Sequence, residues 1–208
     1  MALYPDYATT ADLKAWLRIS DAVDDTELAV AVMAASRAID KACNRQFGLN
    51  GAAVARYYRF DGQCIQGRRA VQVDDLMTTT GLVVKIDQGE DGVYEQTLTL
   101  GTDFDLWPWN AAGDNMPWTH IVFRPSAAVL PYGLPREVEA AGNWGWSTVP
   151  TVVYQACLLQ ASRFFVRRDS QYGVAGSPET GTELRLLERL DPDVAVMLST
   201  VRRWWGAV

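Results

Sequence analysis

The chain has 208 residues, 49% of them hydrophobic, and sets 19 Lys and Arg against 25 Asp and Glu for a formal charge of −6. That length and apolar content suffice for one generous domain or two small ones with a real core, which excludes a disordered tail. The acidic balance excludes a protein that wraps nucleic acid by neutralising phosphates, because that needs clustered Lys and Arg, but it is compatible with an acidic wall beside which DNA slides.

In chain order, Thr9 and Thr10 ahead of Asp12 predict a capped helix start, with Leu13, Trp16 and Leu17 as a short apolar stripe before Ser20-Asp21. A second helix is predicted from Asp24-Asp25-Thr26 toward Asn44, burying Leu28, Ala31, Val32, Ala35, Ala38, Ile39, Ala42 and Cys43. Those mostly small side chains permit close approach of a partner helix, expected to be the one that follows Pro150. From Ala52 the period changes to two, and turn residues recur at short intervals. Strands are predicted over 54–60, 70–73, 82–87, 94–100, 119–124 and 136–146, and 103–118 reads as a long ordered loop.

The stretch Asn143 to Asp169 predicts the central helix, with Thr148 as candidate N-cap and Pro150 in the first turn. At about 100° per residue, Val153, Tyr154, Cys157, Leu158, Ala161, Phe164 and Phe165 share one broad face. Val152, Leu159 and Val166 recur on the far side, so this helix wants two apolar neighbours: another helix of the same chain, or a second protomer. Beyond Asp169 the small polar run to Pro178 is expected to be mobile in the free chain. Thr180 and Glu183 have capping-box spacing ahead of Leu184, Leu187 and Leu190, Asp191-Pro192 restarts a helical turn, and Arg202, Arg203, Trp204 and Trp205 follow. Trp and Arg dominate protein–protein hot spots.

The resulting expectation is an α+β fold. A helical bundle comprises an N-terminal hairpin (1–51), a central helix packing on it (149–169) and a C-terminal helical arm, with an inserted, mainly antiparallel, β-sandwich-like sheet of about six strands (52–148). Residues 170–208 form a mobile loop and docking arm.

Catalytic signals are thin. His120 sits in an alternating strand without a His or Cys companion, and no P-loop, dinucleotide fingerprint or G-x-S-x-G occurs. Acids are plentiful in turns, where they are ordinarily solvated, and no calcium-loop run is present. Neither an enzyme nor a cofactor or metal is expected. Cys43, Cys64 and Cys157 make no C-x-x-C pair and fit reduced thiols of a chain made inside a cell. MALYPDYATTADLK lacks the charge and apolar run of a signal peptide, and no 18-residue apolar stretch occurs, so no membrane partner is expected. The alternative from another class is a carbohydrate-binding sheet, in which Trp107, Trp109, Trp118, Trp144 and Trp146 would stack on sugar rings. Against it, Trp at loop ends more commonly caps a small sandwich core.

Taken together, TTADLKAWLRI, AASRAIDKACNRQF, NWGWSTVPTVVYQACLLQASRFF and ELRLLERLDPDVAVMLSTVRRWW resemble, in order and spacing, the tailed-phage head-tail connector proteins, also called head-completion or adaptor proteins. The likeness covers both helical ends, about half the chain. It implies a structural virion protein of the neck, made in the host bacterial cytoplasm. Such a protein assembles as a homo-oligomeric ring, usually of twelve, under the portal. It docks the next neck or tail component, a stopper or tail terminator, and passes DNA through its lumen without sequence-specific binding. The resemblance makes Leu184, Leu187, Leu190, Arg202, Arg203, Trp204 and Trp205 candidate portal contacts, and Val152, Leu159 and Val166 candidate ring contacts.

Overall fold

The computed structural model describes residues 5–127, 130–168 and 190–203, and the backbone of 174–175 and 184–185. The chain divides into two compact units, one spanning Gly48–Thr148 and the other made of Tyr4–Phe47 with Val149–Val208.

The helical unit opens with α1, Thr10–Leu17. The Thr9 hydroxyl accepts the Asp12 N–H at 3.1 Å and the Asp12 carboxylate accepts the Thr9 N–H at 2.8 Å. This reciprocal capping box stabilises the helix start by about 1 kcal/mol. α2 runs Asp25–Cys43 and stops where Asn44 turns left-handed at φ 51°, a conformation that Asn tolerates. α3 spans Thr151–Arg167. Thr148 is not its N-cap, contrary to the sequence expectation. Pro150 takes that place with an extended ψ of 142°, and its carbonyl accepts the N–H groups of Val153 and Tyr154. The extended proline sets the first helical residue at Thr151, beyond reach of a Thr148 cap.

α2 packs directly on α3, and α1 lies against both. Ala31, Ala35, Ala156, Cys157 and Ala161 are buried, and their small side chains let the Ser36 hydroxyl approach the Cys157 sulfur to 3.5 Å. Burial of Leu13, Leu28, Ile39 and Leu158 contributes about 1.5–3 kcal/mol each. A further helix, α4, Pro192–Leu198, packs on α3 and α2 and buries Val194 and Leu198. Asp191 caps it and pairs with Arg163 at 2.7 Å. The expected helix starting ahead of Leu184 is replaced by a strand: Leu184–Arg185 pairs antiparallel with Val174–Ala175.

Among its described residues the β unit holds eight strands rather than about six. They are β1 Val54–Tyr58, β2 Cys64–Ile65, β3 Arg68–Leu76, β4 Val83–Ile86, β5 Gln96–Leu98, β6 Phe104–Trp107, β7 Trp118–Phe123 and β8 Val138–Gly142. They form two four-stranded antiparallel sheets, ordered β1-β8-β4-β5 and β2-β3-β7-β6. Both sheets contribute to one core that includes Val71, Val84, Ile86, Phe104, Ile121, Phe123, Val138 and Trp144. β6 lies inside the stretch expected to be a loop: Phe104 and Leu106 point into the core and Asp105 and Trp107 do not, an alternation only four residues long. The unit is closed at its root by Gly145, which bridges Leu49 and Leu76, and by the Trp146 N–H donating to Gly48 O at 2.9 Å.

Candidate assembly surfaces

The polar side chains weighed above for chemistry are committed to structure. His120, half-buried in β7, has Gln63 Nε2 at 3.2 Å from its Nε2 and the Thr119 hydroxyl at 2.9 Å from its Nδ1. Asp87, Asp91 and Glu95 bring carboxylate oxygens within 4.8 Å of one another. Asp87 uses both of its oxygens to accept the Gly89 and Gly92 N–H groups, and its two neighbours are exposed turn acids. The buried Glu137 carboxylate accepts the N–H groups of Tyr132, Gly133 and Leu134, which fastens the turn before β8. In the helical unit Tyr7 ties the amino-terminal segment to α2. Its hydroxyl donates to Asp40 and accepts the Phe47 N–H at 2.9 Å, and burial pushes both the Tyr7 and Asp40 pKa values up. Burial also pushes the Cys43 thiol up to about 11, and raises Cys157.

The five tryptophans considered for sugar stacking do not form a platform. Trp144 and Trp146 are buried, their indole N–H groups donating to Val54 O at 2.7 Å and to Asp75 at 2.8 Å. Trp118 packs against the β core, and Trp107 and Trp109 meet edge to face at 5.1 Å.

Among the large apolar residues the fold leaves exposed, Trp16, Val30, Met33, Val166 and Val196 lie on helices and others, such as Val23 and Tyr132, lie in loops and strands. The α3 seam places Val152 and Leu159 half-buried and Val166 56% exposed, on the side of the helix that faces away from α2 by the 100° rule. The candidate portal contacts are dispersed. Leu184 belongs to the short strand pair, Leu190 is half-buried, Arg202 is exposed, and Arg203 is buried with its N–H donating to Cys43 O at 2.8 Å. Leu187, Trp204 and Trp205 lie outside the described residues, as does most of the 170–189 stretch expected to be mobile.

Sequence reasoning missed a second helical surface. Between α2 and the end of α3 runs a groove of about 390 Å3, lined by Thr26, Glu27, Val30, Ala34, Phe164 and Phe165 among others. Arg168 borders it, pairing with Asp24 at 2.7 Å and lying 4.5 Å over the Phe165 ring. The signal was present: Val30 and Met33 are apolar residues off the small-residue face of α2, and both are more than half exposed. On α1, Trp16 is 51% exposed. The open side of the β1-β8-β4-β5 sheet adds a polar–aromatic patch, where the Arg136 guanidinium lies 4.4 Å over Tyr57 and the Tyr94 hydroxyl donates to Arg136 O at 2.9 Å.

No helix among the described residues is long and apolar enough to cross a membrane. The sequence matches no protein-family model and no curated protein. In fold, the chain is similar to a chain of a solved structure described as the neck of an empty GTA particle computed with C6 symmetry. The two are 19% identical, with a TM-score of 0.54 over 98% of this chain and 94% of that one.

Proposed function

We propose that this chain is a structural protein of the neck of a tailed-phage or phage-like particle, a connector subunit that works by assembling with copies of itself. The observation that carries the reading is the fold likeness to a neck chain over nearly the whole of both chains, helical ends and β unit together. It agrees with the connector-like order of helical segments in the sequence, and with apolar residues left exposed on the helices, Trp16, Val30, Met33 and Val166 among them. The neighbour's neck was computed with sixfold symmetry, and a ring of six or of twelve is compatible with that.

In the finer form of the proposal, the ring is dodecameric, sits under the portal, docks the next neck or tail component and gives DNA passage. The central helix (149–169) supplies ring contacts through Val152, Leu159 and Val166. The segment 170–208 acts as a docking arm, with Leu184, Leu187, Leu190, Arg202, Arg203, Trp204 and Trp205 meeting the portal. A head-to-tail ring needs two different, complementary patches on each protomer, and a helix with a core face and an outward seam provides one of them. The test is co-purification of the full chain with a portal protein from the same genome, alongside imaging of the particle neck. Density for this chain between capsid and tail is expected, as is loss of portal retention when residues 183–208 are removed. A neck without this chain, or retention unchanged by the truncation, refutes the general or the finer reading respectively.

A further inference from the structure

We infer that the groove between α2 and α3 receives Trp16 from α1 of an adjacent copy of this chain. The inference deepens the ring reading and rests on it: it names a pair of complementary patches, separate from the α3 seam, of the kind a head-to-tail contact requires.

The two patches lie on opposite flanks of α2. Lys14 of α1 pairs with Asp25 at 2.6 Å, and Tyr7 bonds Ser36 and Asp40, so α1 and the segment before it cover the flank of α2 that carries Asp25, Ser36 and Asp40. At about 100° per residue, Val30 and Ala34 of the groove fall roughly 140–180° around the helix from Asp25. In its own chain Trp16 does not line the groove, and a Trp16 seated there comes from another copy.

Shape and charge both fit. Trp16 is a large ring half exposed on a short helix whose buried anchor is Leu13, so the fold leaves much of the indole unused. The groove is lined by Val30, Ala31, Ala34, Phe164 and Phe165, a surface on which an indole gains both apolar burial and edge-to-face ring contacts. Two residues beyond Trp16, the exposed Arg18 ends α1 in a left-handed turn at φ 59°. Glu27 is exposed at the groove rim. Neither side chain has an ion-pair partner among the described residues. With Trp16 seated, Arg18 of one copy faces Glu27 of the next, so the apolar contact is framed by opposite charges. Such a frame favours this register over one that sets Arg18 beside the groove's own cation, Arg168.

The test uses the full chain carrying Arg18→Lys, half of it labelled with 15N, concentrated and treated with a zero-length carbodiimide. The expected product is an amide between the amine introduced at position 18 of one copy and the Glu27 carboxylate of another, detected as mixed heavy–light peptides. Trp16→Ala or Val30→Glu should reduce it at least about tenfold, and the exchange Arg18→Glu with Glu27→Arg should restore the self-association that either single change weakens. Circular dichroism of each variant separates loss of contact from loss of fold, and the charge exchange touches no buried residue. Self-association without the mixed 18–27 product, or with a product insensitive to Trp16→Ala, overturns the inference and leaves the ring to another surface. Product confined to single-isotope peptides overturns it too, because the contact is then within one chain. Absence of any association and of the product at all concentrations overturns it and counts against the ring reading as well.

Discussion

Gly145→Ala should strongly destabilise the β unit, and the structure sets the size of the effect. A Cβ built at Gly145 would lie 1.8 Å from Gly48 O and 2.9 Å from Gly48 C, with backbone rather than a movable side chain on the other side, and φ there is +114°. An alanine at that φ costs about 1–3 kcal/mol on conformation alone. Relief of the clash requires the 48–49 and 144–146 segments to separate. That puts at risk the Gly145 N–H bond to Asp75 O at 2.6 Å and the Trp146 N–H bond to Gly48 O at 2.9 Å, each worth about 1 kcal/mol. The sum is about 3–5 kcal/mol, a large share of a typical domain's stability. Urea unfolding followed by tryptophan fluorescence reads it directly, since Trp144 and Trp146 flank the site. At an m-value near 2 kcal/mol per molar the midpoint should fall by roughly 2 M. Gly142→Ala is the control: its Cβ would meet the methyl ends of Leu82 and Leu76, at 3.4 and 3.5 Å, and the edge of the Trp144 ring at 4.0 Å, all ordinary van der Waals distances, and its cost should stay within about 1 kcal/mol. A Gly145→Ala midpoint matching that of the parent chain, or a Gly142→Ala shift of equal size, would refute the claim that the root of the β unit admits only glycine.

Val166→Glu changes a side chain that is 56% exposed, so the fold should keep its stability within about 0.5 kcal/mol. If the α3 seam is a ring contact, a carboxylate there should weaken association at least about 30-fold, measured by sedimentation, from an unpaired charge costing about 2 kcal/mol or more. Assembly indistinguishable from the parent would remove Val166 from the contact. Thiol alkylation at pH 8 should modify Cys64 quickly and Cys43 and Cys157 only on unfolding, because Cys64 is exposed and burial both shields the other two and raises their pKa values. Three equal rates would contradict the placement of α2 against α3. Asp40 has its folded pKa raised above 3.8 by burial, so its favourable contribution is complete below that value and is lost as pH rises through the folded pKa. Asp40→Asn should therefore flatten the pH dependence of the unfolding temperature above pH 3.8; an unchanged slope would show that another group controls it.

Helices and sheets differ in how far they can be read from the chain, and the reason is locality. α1, α2 and α3 are each announced by an apolar stripe within one segment and by end signals such as Thr9 with Asp12, or Asn44, so their existence needs no knowledge of partners. Most of the strands are held by pairing with segments far along the chain. β6, with four residues, pairs with β7 across the 108–117 loop, and β2 has only two, so neither carries enough alternation to stand out. The same locality explains the short strand at Leu184–Arg185, where a local capping pattern points to helix and a partner several residues away decides otherwise.

Assembly surfaces are a further step removed, because an apolar residue reads the same whether the fold or a neighbouring molecule covers it. The α3 seam is legible since Val152, Leu159 and Val166 lie too far around the helix for one core to cover. Val30 and Met33 are not, because the small-residue face of α2 already explains that helix. Trp16 reads as part of the α1 stripe with Leu13 and Leu17, and only the structure separates the fully buried Leu13 from a tryptophan half in solvent. A residue that matches its element's period yet stays exposed in the folded chain is one the fold alone does not require. Such residues are where association free energy is available, and Trp16, Val30 and Val166 are the positions at which to look for it.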